Sequence, residues 1–137
     1  MASGIYNRFK ANLMNKIVDL EADTIKVALY DSTHVFTATD TDYTTTNEVL
    51  EAAPGYDRGG VTISSPSVTE AATTKWDDDG SDVAWAAATF TARHAVIYDS
   101  TLAGNDLIAN IDFGSDKSVT LGTFTIQFSA DGIITLA

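Results

Sequence analysis

The chain of 137 residues contains no cysteine. This absence excludes disulfide bonds, thiolate catalysis and the usual cysteine-based zinc sites. The chain also has no run of about 18 apolar residues, so we expect no membrane-spanning helix. Its N-terminus lacks the continuous apolar segment of a secretory signal peptide, and we expect none.

Groups suited to catalysis are scarce as well. The chain has two histidines, of which His34 falls in a predicted loop and His94 on a predicted strand, where a structural role is the simpler interpretation. No G-x-S-x-G motif is present. Gly59-Gly60 is not followed by the Lys-Ser/Thr of a phosphate-binding loop. We therefore expect a protein that is not an enzyme, with no catalytic residue and no cofactor.

Positive charge is sparse and concentrated at one end. The chain has 8 Lys and Arg against 19 Asp and Glu, a net charge of −11. Arg8, Lys10 and Lys16 lie in the first 18 residues, which contain no acidic residue. An acidic body repels phosphate groups and gains nothing from counterion release, so nucleic acid is not an expected partner.

What the chain does contain fits one domain spanning residues 1–137. Hydrophobic residues make up 45% of the sequence, enough to fill a single core at this length. Ile5, Phe9, Leu13 and Ile17 recur at every fourth position and predict an amphipathic helical arm over residues 1–18. This arm either packs across the domain or detaches to dock on an acidic partner or a membrane interface.

Most of the remaining chain has the pattern of strands. Ile25, Val27 and Leu29 alternate with other residues, which is typical of a half-buried strand. About eight such segments follow one another with short polar turns between many of them. The predicted fold is mainly β: an antiparallel β-sandwich or jelly-roll-like single domain with one N-terminal amphipathic helix.

The segment from residue 32 to 58 interrupts this pattern. It is rich in Thr, Asp and Ala, contains Pro54-Gly55 and shows little apolar alternation. Loops of this length are uncommon in compact domains unless they are functional or disordered. We interpret it as a long loop that either contacts a partner or is a solvated insertion.

Two features resemble ligand sites. The acidic turn with Asp77, Asp79 and Asp82 offers the hard oxygen ligands that calcium requires, but a solvated turn explains the same residues. Trp76 and Trp85 could stack against sugars, although tryptophans in β domains more often belong to the core. A metal is therefore not expected, and a carbohydrate-binding module remains a lesser alternative.

The order of the segments carries a family resemblance. A helix opening Ile5-Tyr6-Asn7-Arg8-Phe9-Lys10 precedes Gly55-Tyr56-Asp57-Arg58-Gly59-Gly60, Thr91-Ala92-Arg93-His94-Ala95-Val96-Ile97-Tyr98, Leu107-Ile108-Ala109-Asn110-Ile111-Asp112-Phe113-Gly114 and a closing Gly-x-Phe-Thr-Ile-Gln-Phe pattern. This set resembles small structural proteins of tailed bacteriophages, of the head decoration or capsid cement type. The resemblance covers most of the chain, except residues 32–54 and 77–82.

The resemblance implies a function and a set of partners. Cement proteins commonly have jelly-roll or β-sandwich folds and often form trimers on the capsid. We therefore expect a virion protein made in the host cytoplasm and located on the capsid surface, binding the major capsid protein and itself, with a homotrimer favoured. A tail, neck or baseplate component is the alternative. The predicted partner-contact residues are Arg8, Lys10, Lys16, Tyr43, Leu50, Tyr56 and Arg58.

Overall fold

A computed structural model describes residues 3–77 and 82–136. It is mainly β, with 47% strand and 6% helix, as predicted. The elements in chain order are β1 (Gly4–Ile5), α1 (Asn7–Met14), β2 (Ile25–Tyr30), β3 (Val61–Thr62), β4 (Ser67–Glu70), β5 (Thr74–Asp77), β6 (Val83–Asp99), β7 (Asp106–Ile126) and β8 (Ile134–Leu136).

The strands form two antiparallel sheets. The larger has the order β1-β7-β6-β2-β3 and the smaller the order β4-β5-β8. Apolar side chains of both sheets meet in one core, where Ile25, Val27 and Leu29 of β2 share a cluster with Trp76 of β5 and Ile134 of β8. This arrangement is consistent with a β-sandwich.

The hairpin of β6 and β7 is the framework of the larger sheet. The alternation had predicted several short strands here, but the structure has two long ones of 17 and 21 residues. Their register shifts at several points, and such bulges bend a strand and redirect its side chains. The irregular alternation in the sequence reflects these bulges rather than breaks between strands.

The larger sheet is buried on both faces around β2, which corrects the prediction that β2 is half-buried. Ala28 and Tyr30 point away from the main core and join a second cluster with Val96, Tyr98 and Leu107. Phe36 and Tyr43 of the 32–58 loop pack against this cluster. Among the described residues, the loop contains no helix or multi-residue strand, and it serves as the cover of the sheet's second face.

The helix is shorter than the predicted arm over 1–18. It spans Asn7–Met14, because Ile5 belongs to β1 and pairs with Ala109 of β7. Phe9 is buried in the main core, so the helix packs against the domain, as the first of the two alternatives states. Leu13 and Ile17, predicted on the same apolar stripe, are 39% and 49% exposed. No helix in the described part of the chain is long and apolar enough to cross a membrane.

Candidate functional site

The 32–58 loop is fixed to the sheet by one buried carboxyl group. Glu48 is 2% exposed and accepts three hydrogen bonds. The donors are the hydroxyl of Tyr43 at 2.5 Å, the hydroxyl of Tyr56 at 2.6 Å and the backbone N–H of Gly59 at 2.8 Å. A buried carboxyl group needs such donors to offset its loss of hydration. Residues 43–59 are thereby held in place around the carboxyl group of Glu48.

The same network reaches the strands below. The hydroxyl of Tyr56 accepts a hydrogen bond from the backbone N–H of Leu29 at 2.9 Å. The hydroxyl of Tyr98 donates to the carbonyl of Gly59 at 2.6 Å, and the ring of Tyr98 stacks on that of Tyr43 with centroids 4.4 Å apart. These contacts join the loop to β2 and β6.

A close contact between the backbone at the end of the loop and that of β2 also holds the loop in place. Gly60 has a φ of +79°, and a Cβ atom there would lie 1.8 Å from the carbonyl oxygen of Val27. Only glycine combines this left-handed conformation with such proximity. The end of the loop therefore lies directly against β2, and its position is set by backbone geometry as well as by side chains.

The partly buried His34, at the start of the loop, meets two buried polar residues of the sheet, His94 and Asn110. The Nε2 atom of His34 lies 3.1 Å from the Oδ1 atom of Asn110, and the rings of His34 and His94 are 5.0 Å apart. Burial lowers the pKa of both histidines, and the proximity of His34 lowers the pKa of His94 further. Both imidazoles are therefore mainly neutral at pH 7, and His94 lies on a strand, β6, as predicted.

A cavity of about 570 Å³ lies between the loop and the sheet. Tyr30, Val96 and Leu107 of the second face contribute to its lining, together with residues of the 32–58 loop. Its loop side is lined by Asp40, Asp42 and several threonines. No sequence pattern had indicated this cavity, because it forms only when the irregular loop is placed over the strands.

The structure separates the predicted contact residues into two groups. Tyr56 is 2% exposed, so the prediction that it contacts a partner is wrong. Tyr43 is half-buried and directs its hydroxyl to Glu48. The remaining five are partly or fully exposed: Arg8, Lys10, Lys16, Leu50 and Arg58.

The exposed candidates come from two segments of the chain. The Nη1 atom of Arg8 lies 3.9 Å from the Oδ2 atom of Asp106, and the Nζ atom of Lys10 lies 3.4 Å from the Oδ1 atom of Asn7. Leu50, by contrast, is 66% exposed on the anchored loop. The three basic residues belong to the N-terminal segment, whereas Leu50 and Arg58 belong to the 32–58 loop.

The two ligand-site candidates fare differently. Trp76 and Trp85 are 2% and 4% exposed, so they are core residues and cannot form a sugar-stacking platform.

The acidic turn falls largely outside the described residues: residues 78–81, including Asp79, are not described, and of Asp77 only the backbone is described. Over residues 3–77 and 82–136, no group of three or more His, Cys, Asp or Glu is placed to hold a metal.

A second surface, on β7, was not predicted. β1 pairs with β7 only at Ala109 and Asn110, and the part of β7 beyond Asp112 has β6 as its sole strand partner among the described residues. A groove of about 480 Å³ lies beside this open edge and is lined by apolar side chains that include Phe113, Phe124 and Phe128.

Comparison with known proteins adds no relative. No family model matches the chain. No curated protein and no solved structure matches it significantly.

Proposed function

We propose that this chain is a non-enzymatic structural protein of a tailed-phage virion, a decoration or cement protein that binds the outside of the head and stabilises it. The ordered set of segments described above supports this proposal through its family resemblance. The partners would be the major capsid protein and further copies of this chain, with a trimer favoured.

The observation that carries the proposal is the anchored 32–58 loop. Loops of this length are often disordered, but Glu48 accepts hydrogen bonds from Tyr43, Tyr56 and Gly59. In addition, Gly60 places the end of the loop directly against β2. The loop nevertheless exposes Val35 by 59% and Leu50 by 66%. A rigid surface of this kind can dock without a large loss of conformational entropy.

Such a protein would act by adding contacts between capsid subunits. Many weak contacts, repeated by symmetry, raise the barrier to expansion or bursting of the head. The net charge of −11 would discourage decorated particles from associating with one another. Neither effect needs a catalytic group.

The proposal can be tested by mixing the purified protein with undecorated heads of its source phage and imaging them by electron microscopy. We expect added density at threefold or quasi-threefold positions. Leu50→Asp should weaken binding by roughly 10- to 100-fold, because burying a leucine contributes about 1.5–3 kcal/mol. Leu136→Asp is the matched control, since Leu136 is 51% exposed on the smaller sheet.

The alternative is a tail, neck or baseplate component, and the same experiment distinguishes it. Absence of density on heads, with binding to tails or connectors, would reject the decoration role. The carbohydrate-binding alternative loses its tryptophan basis because both side chains are buried.

A further inference from the structure

We propose that the cavity beneath the 32–58 loop binds the guanidinium group of an arginine side chain presented by a partner protein. The cavity's volume of about 570 Å³ is within the range of sites that hold small ligands. It therefore has room for a whole side chain.

The charge of the lining selects for a cation. Asp40 and Asp42 line the cavity, and no lysine or arginine does so among the described residues. Asp40 forms no ion pair with a residue in the described part of the chain. An anionic ligand would meet only like charge here, whereas a cation would meet an uncompensated carboxylate.

The hydroxyl group of a buried tyrosine points to the same ligand. Tyr6 is 1% exposed, and its ring packs edge-on against Phe36 with centroids 4.9 Å apart. Its hydroxyl has no hydrogen-bond partner among the described residues, although it lines the cavity. Asp40 is near enough for its charge to raise the pKa of this hydroxyl, after the larger effect of burial. A group with several N–H donors could serve both Tyr6 and Asp40.

His34 adds another acceptor at the cavity wall. Because its Nε2 atom faces the Oδ1 atom of Asn110 at 3.1 Å, the neutral imidazole donates from Nε2. Its Nδ1 atom is then an acceptor. With the threonine hydroxyls, which can also accept, the lining offers acceptors of several kinds.

A guanidinium group matches this lining better than an ammonium or a sugar. It carries five N–H donors and no acceptor, keeps its charge, and stacks on aromatic rings, and both Tyr6 and Tyr30 line the cavity. The acidic body would also accelerate the approach of a basic partner. The inference goes beyond the virion role, because it concerns the ligand chemistry of one cavity.

The test is an NMR titration of the full chain with N-acetyl-arginine amide. We expect saturable shifts of backbone amides within residues 33–47, with a Kd on the order of millimolar for a single side chain. N-acetyl-citrulline amide, which has the same shape without the charge, should bind at least tenfold more weakly. Equal shifts with citrulline, or no saturation at 100 mM, would overturn the proposal.

Three variants test whether arginine binds in the cavity. Asp40→Asn should weaken arginine binding about fivefold or more, and Tyr6→Phe about two- to fivefold, while both keep the dispersed spectrum of the folded protein. Asp57→Asn removes one exposed charge outside the cavity and should change binding less than twofold. Equal weakening by Asp57→Asn would show a general charge effect and reject the site. Equal binding of N-acetyl-lysine amide would reject the choice of guanidinium. Failure of this titration leaves the capsid-binding experiment unaffected.

Discussion

A buried carboxyl group at the end of β6 makes stability depend on pH. Asp99 is fully buried. Its Oδ1 atom accepts a hydrogen bond from the backbone N–H of Thr101 at 2.9 Å, whereas its Oδ2 atom receives none from an N–H or O–H donor in the described residues. The pKa of Asp99 is raised from an ordinary value of 3.8 to about 7. Burial is the largest cause, and the hydrogen bond and negative charge of Asp23 raise this pKa further.

The sign of the effect follows from proton binding. Between pH 4 and pH 7 the folded protein holds a proton on Asp99 that the unfolded chain has released. Stability is therefore highest below pH 4 as far as this group is concerned, falls as the pH rises towards 7, and levels off above it. At about 1.36 kcal/mol per pKa unit, the shift corresponds to an upper bound of about 4 kcal/mol.

Asp99→Asn should remove this dependence, because the amide keeps an acceptor for Thr101 and offers a donor to Asp23. At pH 8 we expect the variant to be more stable than the wild type by up to about 4 kcal/mol, and at pH 5 by up to only about 2 kcal/mol. For 137 residues, each kcal/mol corresponds to ~3.5 °C in Tm.

Urea unfolding followed by tryptophan fluorescence suits the measurement, since Trp76 and Trp85 are buried. The difference between variant and wild type is the quantity to compare, because contributions of the histidines cancel in it. Asp57→Asn, at an exposed position, controls for loss of a negative charge. A difference between Asp99→Asn and the wild type that stays constant from pH 5 to pH 8 would refute the reasoning.

Three further predictions concern the loop, the histidines and one backbone position. Glu48→Ala should destabilise the protein by about 2–5 kcal/mol, because three donors lose their buried acceptor. Urea unfolding measures this loss of stability, with the exposed Glu51→Ala as the control. A loss below about 1 kcal/mol would contradict the prediction. His34 and His94 should titrate below pH 6.5 in NMR, so their contribution to stability is present above that pH and is lost on acidification. A midpoint above 6.5 for either histidine would mean that its contribution to stability depends on pH in the opposite direction. Leu121 is 88% exposed at a φ of +48°. Leu121→Gly should therefore stabilise the protein by about 0.5–1 kcal/mol in the same urea assay. A clear destabilisation would indicate that the Leu121 side chain packs against other residues.

The sequence predicted the strands well where one strand's own alternation decides the outcome. Ile25, Val27 and Leu29 lie in the main core, as their spacing indicates. The burial of Ala28 and Tyr30 could not be predicted, because their cover includes Phe36 and Tyr43 from a loop without periodicity. Local pattern shows that a face is apolar but not what covers it.

The helix was predicted too long for a related reason. Ile5 fits the fourfold spacing, yet backbone pairing with Ala109 places it in a strand. A partner about 100 residues away leaves no trace in a local window. The spacing of apolar residues alone cannot separate a helical position from a short strand beside it.

The candidate site was the least predictable part. Tyrosines in a polar loop suggested partner contacts, but Tyr56 uses its hydroxyl to bind Glu48 and Leu29 inside the protein. The cavity residues Tyr6 and Asp40 are 34 positions apart, and no motif links them. Sequence identified the loop as unusual, whereas its role as a cover and the cavity below it required the three-dimensional arrangement.

The pairing of the chain's first residues with β7 has a consequence for synthesis. Gly4 pairs with Asn110, and the side chain of Asn12 donates to Asp106 at 2.7 Å. During translation the first segment emerges well before these partners exist, and closing so long a loop slows folding. The segment containing Phe9 and Leu13 therefore stays in contact with water or a chaperone until residues 106–110 have left the ribosome. Its three basic residues would keep that waiting segment soluble.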